Sequence, residues 1–303
     1  MNDYTELLER DTFTAKPDAR AWSDKAVLVT GGCGTIGTAI VNKIRDVAKC
    51  VVVGDRNERA LFDVEKHEKV VPILMDVTEP EHVNRAFDMF GYGEAHIVFH
   101  CAAYKHVPMM EEYPEVALTN NFLGTKHVVD ATVYRSSAAF VFISTDKAAS
   151  CACVMGRTKR LAEDYIQAKA RQWVGGSLSI VRFGNVLGSS GSVIETWERQ
   201  LEAGEPLTVA KDCSRYFCTV DEAASLAIGA AFGGRGCRIM TLQMGGPIEM
   251  EEMARRFLKM RGAEDHAVEI IGARNGDSPT ERLAGEGEKL VEADGALEVV
   301  NDG

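Results

Sequence analysis

The sequence predicts a doubly wound α/β fold: a mainly parallel sheet covered by helices on both faces, with a smaller C-terminal lobe. Three observations predict it. Short apolar runs recur along the chain, separated mostly by stretches with helical spacing. The first run passes straight into a glycine-rich turn. The length, 303 residues with 46% hydrophobic content, is long for one minimal domain and short for two independent ones.

In chain order, residues 1–24 are polar, punctuated by Pro17, and are read as a leader. Ala26–Thr30 (AVLVT) is the first strand, and further strands are expected at Cys50–Val53, Val70–Leu74, Ile97–His100, Phe140–Ser144, Leu178–Val181 and Arg238–Leu242. Ile36, Ile40 and Ile44 follow the first strand at the spacing of one helix face. The run Val116, Leu123, Val128 and the segment Thr158–Trp173 predict long helices over the sheet. Gly184–Asp212 is rich in glycine and turn residues and is assigned to the smaller lobe, and the acidic tail from Gly285 is expected to be poorly ordered. The division expected is therefore 1–24 leader, 25–182 sheet domain, and 183–303 mainly lobe, with 216–243 returning to the sheet domain.

A formal net charge of -11 argues against nucleic acid or an anionic membrane as the main partner, because phosphate binding needs a net basic face. No run approaches the roughly 18 apolar residues that cross a bilayer, and MNDYTELLER has neither the basic start nor the apolar stretch of a signal peptide, so a cytoplasmic location is expected. The cysteines, at 33, 50, 101, 151, 153, 213, 218 and 237, lack C-x-x-C spacing and read as free thiols rather than metal ligands.

After the first strand the chain reads T-G-G-C-G-T-I-G, with Gly31, Gly34 and Gly37 opening a helix. Glycines there let the backbone turn tightly and approach a pyrophosphate, whose charge meets the helix N-terminal amides. With Asp55 at the end of the second strand, the pattern reads as a dinucleotide site. The Asp55 carboxylate suits ribose hydroxyls and repels a 2′-phosphate, favouring NAD over NADP. Arg56 is open to two readings, a phosphate holder or a solvated residue at a helix start. Asp76-Val77 suits the adenine edge, or equally a helix N-cap region.

The fifth strand ends in Ser144-Thr145-Asp146-Lys147, placing polar and charged groups at the carboxyl edge of the sheet, where ligands of doubly wound folds bind. Such a loop on its own can also be merely solvated. Lys159 follows 12 residues after Lys147 at a helix start, with Gly156 one turn earlier, an arrangement that resembles the Ser/Tyr/Lys site of short-chain dehydrogenases. The stretches HCAAYKHVPMMEEYPEVALTNNFLGT (100–125), ISTDKA (143–148), VMGRTKRLAE (154–163), VRFGNVLGSSGSVI (181–194) and SRYFCTVDEA (214–223) resemble the polysaccharide-biosynthesis UDP-N-acetylglucosamine 4,6-dehydratases. The leader ELLERD resembles the segment before the catalytic domain of the membrane-anchored branch, so a freestanding catalytic unit without membrane helices is expected.

The resemblance implies an extended short-chain dehydrogenase: a Rossmann domain at 25–182 binding NAD and a UDP-sugar-binding lobe. It also implies a homo-oligomer, most simply a dimer. By the same resemblance Asp146 is the general acid, Lys147 the general base, Thr145 a hydrogen-bonding partner of the sugar, and Lys159 the holder of the nicotinamide ribose. Met155 stands at the usual tyrosine position and cannot transfer a proton, as in some members of that family. Thr35, Ile36, Cys101, Ala102, Ala103 and Asn121 fall at cofactor positions. Lys105, Asn185, Val193, Arg215 and Arg274 fall near the substrate or its diphosphate, with a plain salt bridge the alternative for each arginine.

This chain departs from the pattern at Ser150-Cys151-Ala152-Cys153, where the family has Asn-Pro-x-Asn, at Glu195 in place of a proline, and at Arg274–Pro279 in place of R-P-G-E-K-L. The chemistry implied is oxidation at sugar carbon 4, proton removal from carbon 5 by Lys147, and loss of the carbon 6 hydroxyl with a proton from Asp146. Hydride then returns to carbon 6. A base at Lys147 requires a depressed pKa, and an acid at Asp146 a raised one. A 4-epimerase or related dehydratase, and a catalytically silent NAD-binding regulator, are the alternative readings.

Overall fold

The computed structural model describes the chain except residues 1–3, 65, 91–95, 174, 273–275, 277, 294 and 303. Its centre is a nine-stranded sheet made of β1 (Ala26–Thr30), β2 (Cys50–Asp55), β3 (Val70–Leu74), β4 (His96–His100), β5 (Ala139–Ile143), β6 (Ser177–Arg182), β7 (Gly236–Thr241), β8 (Glu288–Ala293) and β9 (Ala296–Asn301). The order across the sheet is β8-β9-β7-β6-β5-β4-β1-β2-β3. Strands β1 to β7 pair in parallel, and β8 and β9 add an antiparallel hairpin at the edge beyond β7. The fold class is that expected from the alternating pattern.

β1 and β4 to β6 are buried along their whole length; β1, β4 and β5 carry near-continuous apolar residues, while β6 also buries Ser177, Ser179 and Arg182. Alternate residues still serve opposite layers: Val27 and Val29 enter one core, Ala26 and Leu28 the other. The first core lies under α1 (Thr35–Ile44) and the second under α2 (Pro80–Asp88), α3 (Gly124–Tyr134) and α4 (Val154–Gln172). In α1, Gly37, Ile40, Val41 and Ile44 form the buried stripe. In α4 the stripe is Met155, Thr158, Lys159, Ala162, Glu163 and Ile166. Its polar members are the ones that bear on the site.

The chain leaves β3 at one edge and re-enters at β4 on the far side of β1. The carboxyl ends of β1 and β4 therefore flank the crevice where the winding reverses. The helical run over the sheet is interrupted by a π turn at Leu118–Leu123, a feature common at functional sites, and it carries the buried Asn121.

Gly184–Asp212 is not all turn: it contains α5 (Val193–Ala203), whose Trp197 is fully buried. α6 (Val220–Ala230) returns to pack beside α1, its start fixed by a capping box between Thr219 and Glu222. α7 (Met250–Met260) lies with α5 over a separate core of Leu187, Ile194, Leu207, Val209, Phe217 and Phe257. Tyr4, Leu7 and Leu8 from the leader complete that core, and Arg10 pairs with Glu222 at 2.7 Å. The tail after Gly285, read from its composition as poorly ordered, instead forms β8 and β9. Composition missed it because this edge hairpin buries little: Ala296 and Val299 enter opposite cores, while Leu290 and Val291 stay exposed.

Candidate active site

The glycine loop sits against the start of the β4 loop. Gly31 has φ +63°, and a Cβ there would lie 2.6 Å from the Ala102 nitrogen, so only glycine fits both the turn and the approach. Asp55 closes the loop from the end of β2: Oδ2 accepts from Cys33 N at 3.1 Å and Oδ1 from Asn57 N at 3.0 Å. Gly34 is the N-cap of α1, whose first amides lack intrahelical acceptors, and Thr35 Oγ1 accepts from Ser190 N at 3.2 Å. Ile36 packs on the core. This cradle, with an acidic group beside it, fits a dinucleotide pyrophosphate and ribose.

Arg56 is already engaged, its guanidinium 4.4 Å from the Tyr104 ring centroid and 3.7 Å from Asp76 Oδ2. Asp76 Oδ1 in turn accepts from Thr78 N and Oγ1 at 2.9 and 2.8 Å. Val77 turns its side chain into the core, leaving only its backbone near the crevice. Cys101 N continues the pairing to Thr30 O, and burial pushes its thiol up to about 12. Asn121 does not present its amide to the crevice: it accepts from Tyr104 N at 2.8 Å and donates to Tyr104 O at 3.0 Å, clamping the loop that follows β4.

Beyond β5 the backbone stays paired with the chain after β6, Ser144 N to Val181 O and Asp146 N to Phe183 O. That extension fixes Thr145 and Asp146 at the sheet edge before a four-residue helix, Lys147–Ser150. A Cβ on Gly156 would lie 2.3 Å from Lys147 O, so glycine lets α4 press against this turn. Lys159 on α4 is buried, donates to Ile143 O at 2.7 Å and lies 4.3 Å from the Phe142 ring centroid. Burial lowers its pKa to about 8. Met155 is also buried, in an apolar cluster with Val107, Met110, Ala117 and Cys153.

Asp146 is fully buried; Oδ1 receives Thr145 Oγ1 at 3.0 Å and Lys147 Nζ at 3.3 Å. Lys147 Nζ also touches Glu281 Oε1 at 2.5 Å and Asn185 Oδ1 at 3.4 Å. Burial alone would lower the Lys147 pKa, but Asp146 and Glu281 outweigh it and hold the ammonium above the usual lysine range. The expected depression of Lys147 is thus corrected, because the sequence did not reveal that two carboxyls converge on it. Glu281 is pushed up to about 8, by burial first and then by Asp146. Asp146 Oδ2 and Glu281 Oε2 are buried with no donor between them.

Arg215 is buried, with Nε 3.2 Å from Glu281 Oε1 and Nη1 on the carbonyls of Ser214 and Pro279. It lines a small pocket with Lys147, Cys153, Ser278 and Glu281. Lys105 Nζ donates to Ser189 Oγ at 3.2 Å; the residue is exposed overall, and partial desolvation of its ammonium end lowers its pKa. Val193, the first residue of α5, packs on the lobe core. Arg274 lies outside the described residues.

The structure thus brings together Thr145, Asp146, Lys147, Asn185 and Arg215. It adds Glu281, which sequence reading missed. Glu281 stands 134 positions after Lys147 in a turn-rich segment with no periodic pattern, and only the fold makes it a neighbour. Tyr104 was likewise missed as the aromatic seat of Arg56.

This sheet, glycine loop and lobe form the extended short-chain dehydrogenase fold. The chain belongs to the family described as polysaccharide biosynthesis protein, whose model matches residues 27–298. It is 35% identical over 285 residues to the capsular polysaccharide biosynthesis protein CapD of Staphylococcus aureus, covering 89% of this chain and 47% of that one. The chain therefore spans about half the length of such curated relatives. A UDP-glucose 4-epimerase of Rickettsia typhi is 30% identical, with 89% and 80% covered. Among solved structures, Pen from Bacillus thuringiensis superposes with TM-score 0.82 at 30% identity, covering 92% and 89% of the two chains. The dTDP-glucose 4,6-dehydratase DesIV from Streptomyces venezuelae, with NAD and TYD bound, shares the fold at TM-score 0.74 and 22% identity, covering 86% and 88%. Among the described residues no helix is long and apolar enough to cross a membrane.

Proposed function

We propose that the protein is an NAD-dependent 4,6-dehydratase acting on a UDP-linked hexose, UDP-N-acetylglucosamine being the first substrate to test. The observation that carries the reading is the pairing of the half-buried Lys147 Nζ with the buried Asp146 Oδ1 at 3.3 Å on the carboxyl edge of the sheet. Oxidation at carbon 4 alone, the chemistry of a 4-epimerase, needs no second acid–base pair. Elimination across carbons 5 and 6 needs both a base for the carbon 5 proton and an acid for the departing hydroxyl.

Gly31, Gly34 and the start of α1 hold the pyrophosphate, Asp55 the adenosine ribose, and Lys159 the nicotinamide ribose. Bound NAD supplies a hydride acceptor for carbon 4 and the donor that returns the hydride to carbon 6. Thr145 Oγ1 orients the sugar, Lys147 removes the carbon 5 proton acidified by the new ketone, and Asp146 protonates the carbon 6 hydroxyl as it leaves as water. Met155 leaves that wall of the site apolar. Lys147 must shed its proton before it can act.

The test is a mass-spectrometric screen of UDP-sugars with NAD. Loss of water, with the base-induced ultraviolet absorbance of a 4-keto product, supports the dehydratase. A product of unchanged mass and inverted carbon 4 would establish the 4-epimerase reading favoured by the epimerase relatives.

A further inference from the structure

We infer that Glu281 is the third member of the acid–base cluster, a positioning residue that takes the Lys147 proton and passes its own to Asp146, so preparing base and acid in one internal exchange. The inference rests on the dehydratase reading and extends it to a residue outside the Thr145–Lys147 loop. Three observations carry it. Lys147 Nζ lies 2.5 Å from Glu281 Oε1, nearer than the 3.3 Å to Asp146. Glu281 is 3% exposed and Asp146 fully buried, and the second oxygen of each finds no donor. Two buried carboxyls that are hydrogen-bond neighbours, as these are, satisfy both oxygens only if one of them carries a proton. The charged and titratable groups facing Glu281 are Asp146, Lys147 and Arg215, and burial with the Asp146 charge pushes its carboxyl up to about 8.

The protons balance. At rest Lys147 is an ammonium, Asp146 a carboxylate and Glu281 a neutral acid. Lys147 gives a proton to Glu281 Oε1, and Glu281 gives the proton on Oε2 to Asp146 Oδ2. The outcome is a neutral amine and two neutral acids, with no change in the charge of the cluster. Expulsion of water by the sugar favours this uncharged arrangement. When Lys147 then takes the carbon 5 proton and Asp146 protonates the departing hydroxyl, the cluster is back in its resting state. The carbon 4 hydroxyl gives its proton to solvent during the oxidation, and Lys147, after returning a proton to carbon 5, takes one back from solvent, so the protons balance over the cycle. Arg215, held by the Ser214 and Pro279 carbonyls, keeps Glu281 Oε1 fixed on Lys147 throughout.

The experiment compares wild type, Glu281→Gln and Glu281→Asp on the substrate found in the screen. Gln keeps the contacts to Lys147 and Arg215 but cannot relay a proton. Expected for Glu281→Gln are NAD and UDP-sugar affinities within about threefold of wild type and kcat lowered by roughly 10²-fold. A changed pH profile of kcat, and partial recovery in Glu281→Asp, are also expected. Glu281→Gln with near-normal kcat, or both variants equally slow with a pH profile parallel to wild type, overturns the relay. A second measurement needs no variant: the infrared carbonyl stretch of an un-ionised carboxyl should be present in wild type at neutral pH and vanish as pH rises through about 8. Its absence overturns the proposal even if Glu281→Gln does not fold. If wild type yields only an epimer, the dehydratase reading itself fails, an outcome read from the product alone and separate from either variant.

Discussion

Arg182 grips Glu163 through two hydrogen bonds, Nε to Oε1 at 3.0 Å and Nη2 to Oε2 at 2.6 Å, with neither side chain exposed to solvent. Glu163 Oε1 also accepts from Ser144 Oγ at 2.6 Å, one residue before Thr145. Arg182 also reaches Glu288 at the start of β8, at 2.6 Å. Burial opposes the Glu288 charge, but Arg182 and the Gly285 N–H hold its pKa at about 2. One network therefore ties the catalytic loop, α4, β6 and the C-terminal hairpin together. Removing Glu163 leaves buried Arg182 to the Glu288 carboxylate alone and takes the acceptor from Ser144 Oγ, so Glu163→Ala is expected to destabilise the fold by about 1–3 kcal/mol, measured by denaturant unfolding. A loss below about 1 kcal/mol would mean the network is structurally incidental.

NAD is expected to bind more tightly than NADP, because Asp55 repels a 2′-phosphate while Arg56 is engaged by Asp76 and the Tyr104 ring. Calorimetry decides: equal or stronger NADP binding would show that Arg56 leaves those partners for the phosphate. Asp76→Ala, which frees Arg56 from its carboxylate, should narrow the preference.

Lys159 carries a signed pH effect. Its folded pKa is about 8, below the 10.5 of an unperturbed lysine, so between those values the unfolded chain binds more protons than the folded one. Its contribution to stability therefore rises as pH increases from about 8 towards 10.5, and is lost as pH falls through 8. Comparing wild type with Lys159→Met by thermal unfolding across that window should show the rise in wild type only. Parallel curves would mean the lysine keeps its charge in the fold.

Met155→Leu is expected to retain a substantial part of the activity, because Met155 contributes an apolar surface shared with Val107, Met110 and Cys153 rather than a proton. Asp146→Asn should lose most of it. The reverse ordering in steady-state rates would overturn both assignments.

Local signals account for what the sequence disclosed. The glycine loop, Asp55 and the Ser144–Lys147 edge are set by strand ends and a turn, so short motifs report them. Long-range partners are different in kind. Glu281 reaches Lys147 only because Pro279 and Thr280 pair with Ser214, and the Lys147 charge state depends on that arrival. Asn121 sits in a motif yet spends its amide on Tyr104, a choice made by the π turn and invisible to spacing. The β8–β9 hairpin was hidden because it buries so few of its residues, Ala296 and Val299 alone on β9 and none on β8.

The prediction that separates the two enzyme readings concerns Lys147, because elimination breaks the carbon 5–hydrogen bond and 4-epimerisation does not. In heavy water wild type should form a dehydrated UDP-sugar carrying deuterium at carbon 5, since the proton returned there comes from a solvent-exchanged group. The hydrogen delivered to carbon 6 should remain the protium taken from carbon 4. Lys147→Ala should still bind NAD, because the side chain contacts Asp146, Glu281 and Asn185 and not the glycine loop. Removing the ammonium leaves Asp146 and Glu281 without their shared counter-charge, so Glu281 should hold its proton more firmly. Product formation should fall by at least roughly 10²-fold, the loss typical of an acid–base group. If the variant keeps near-normal turnover, or wild type gives only an epimer with no solvent deuterium at carbon 5, Lys147 is not the base and the epimerase reading replaces the dehydratase.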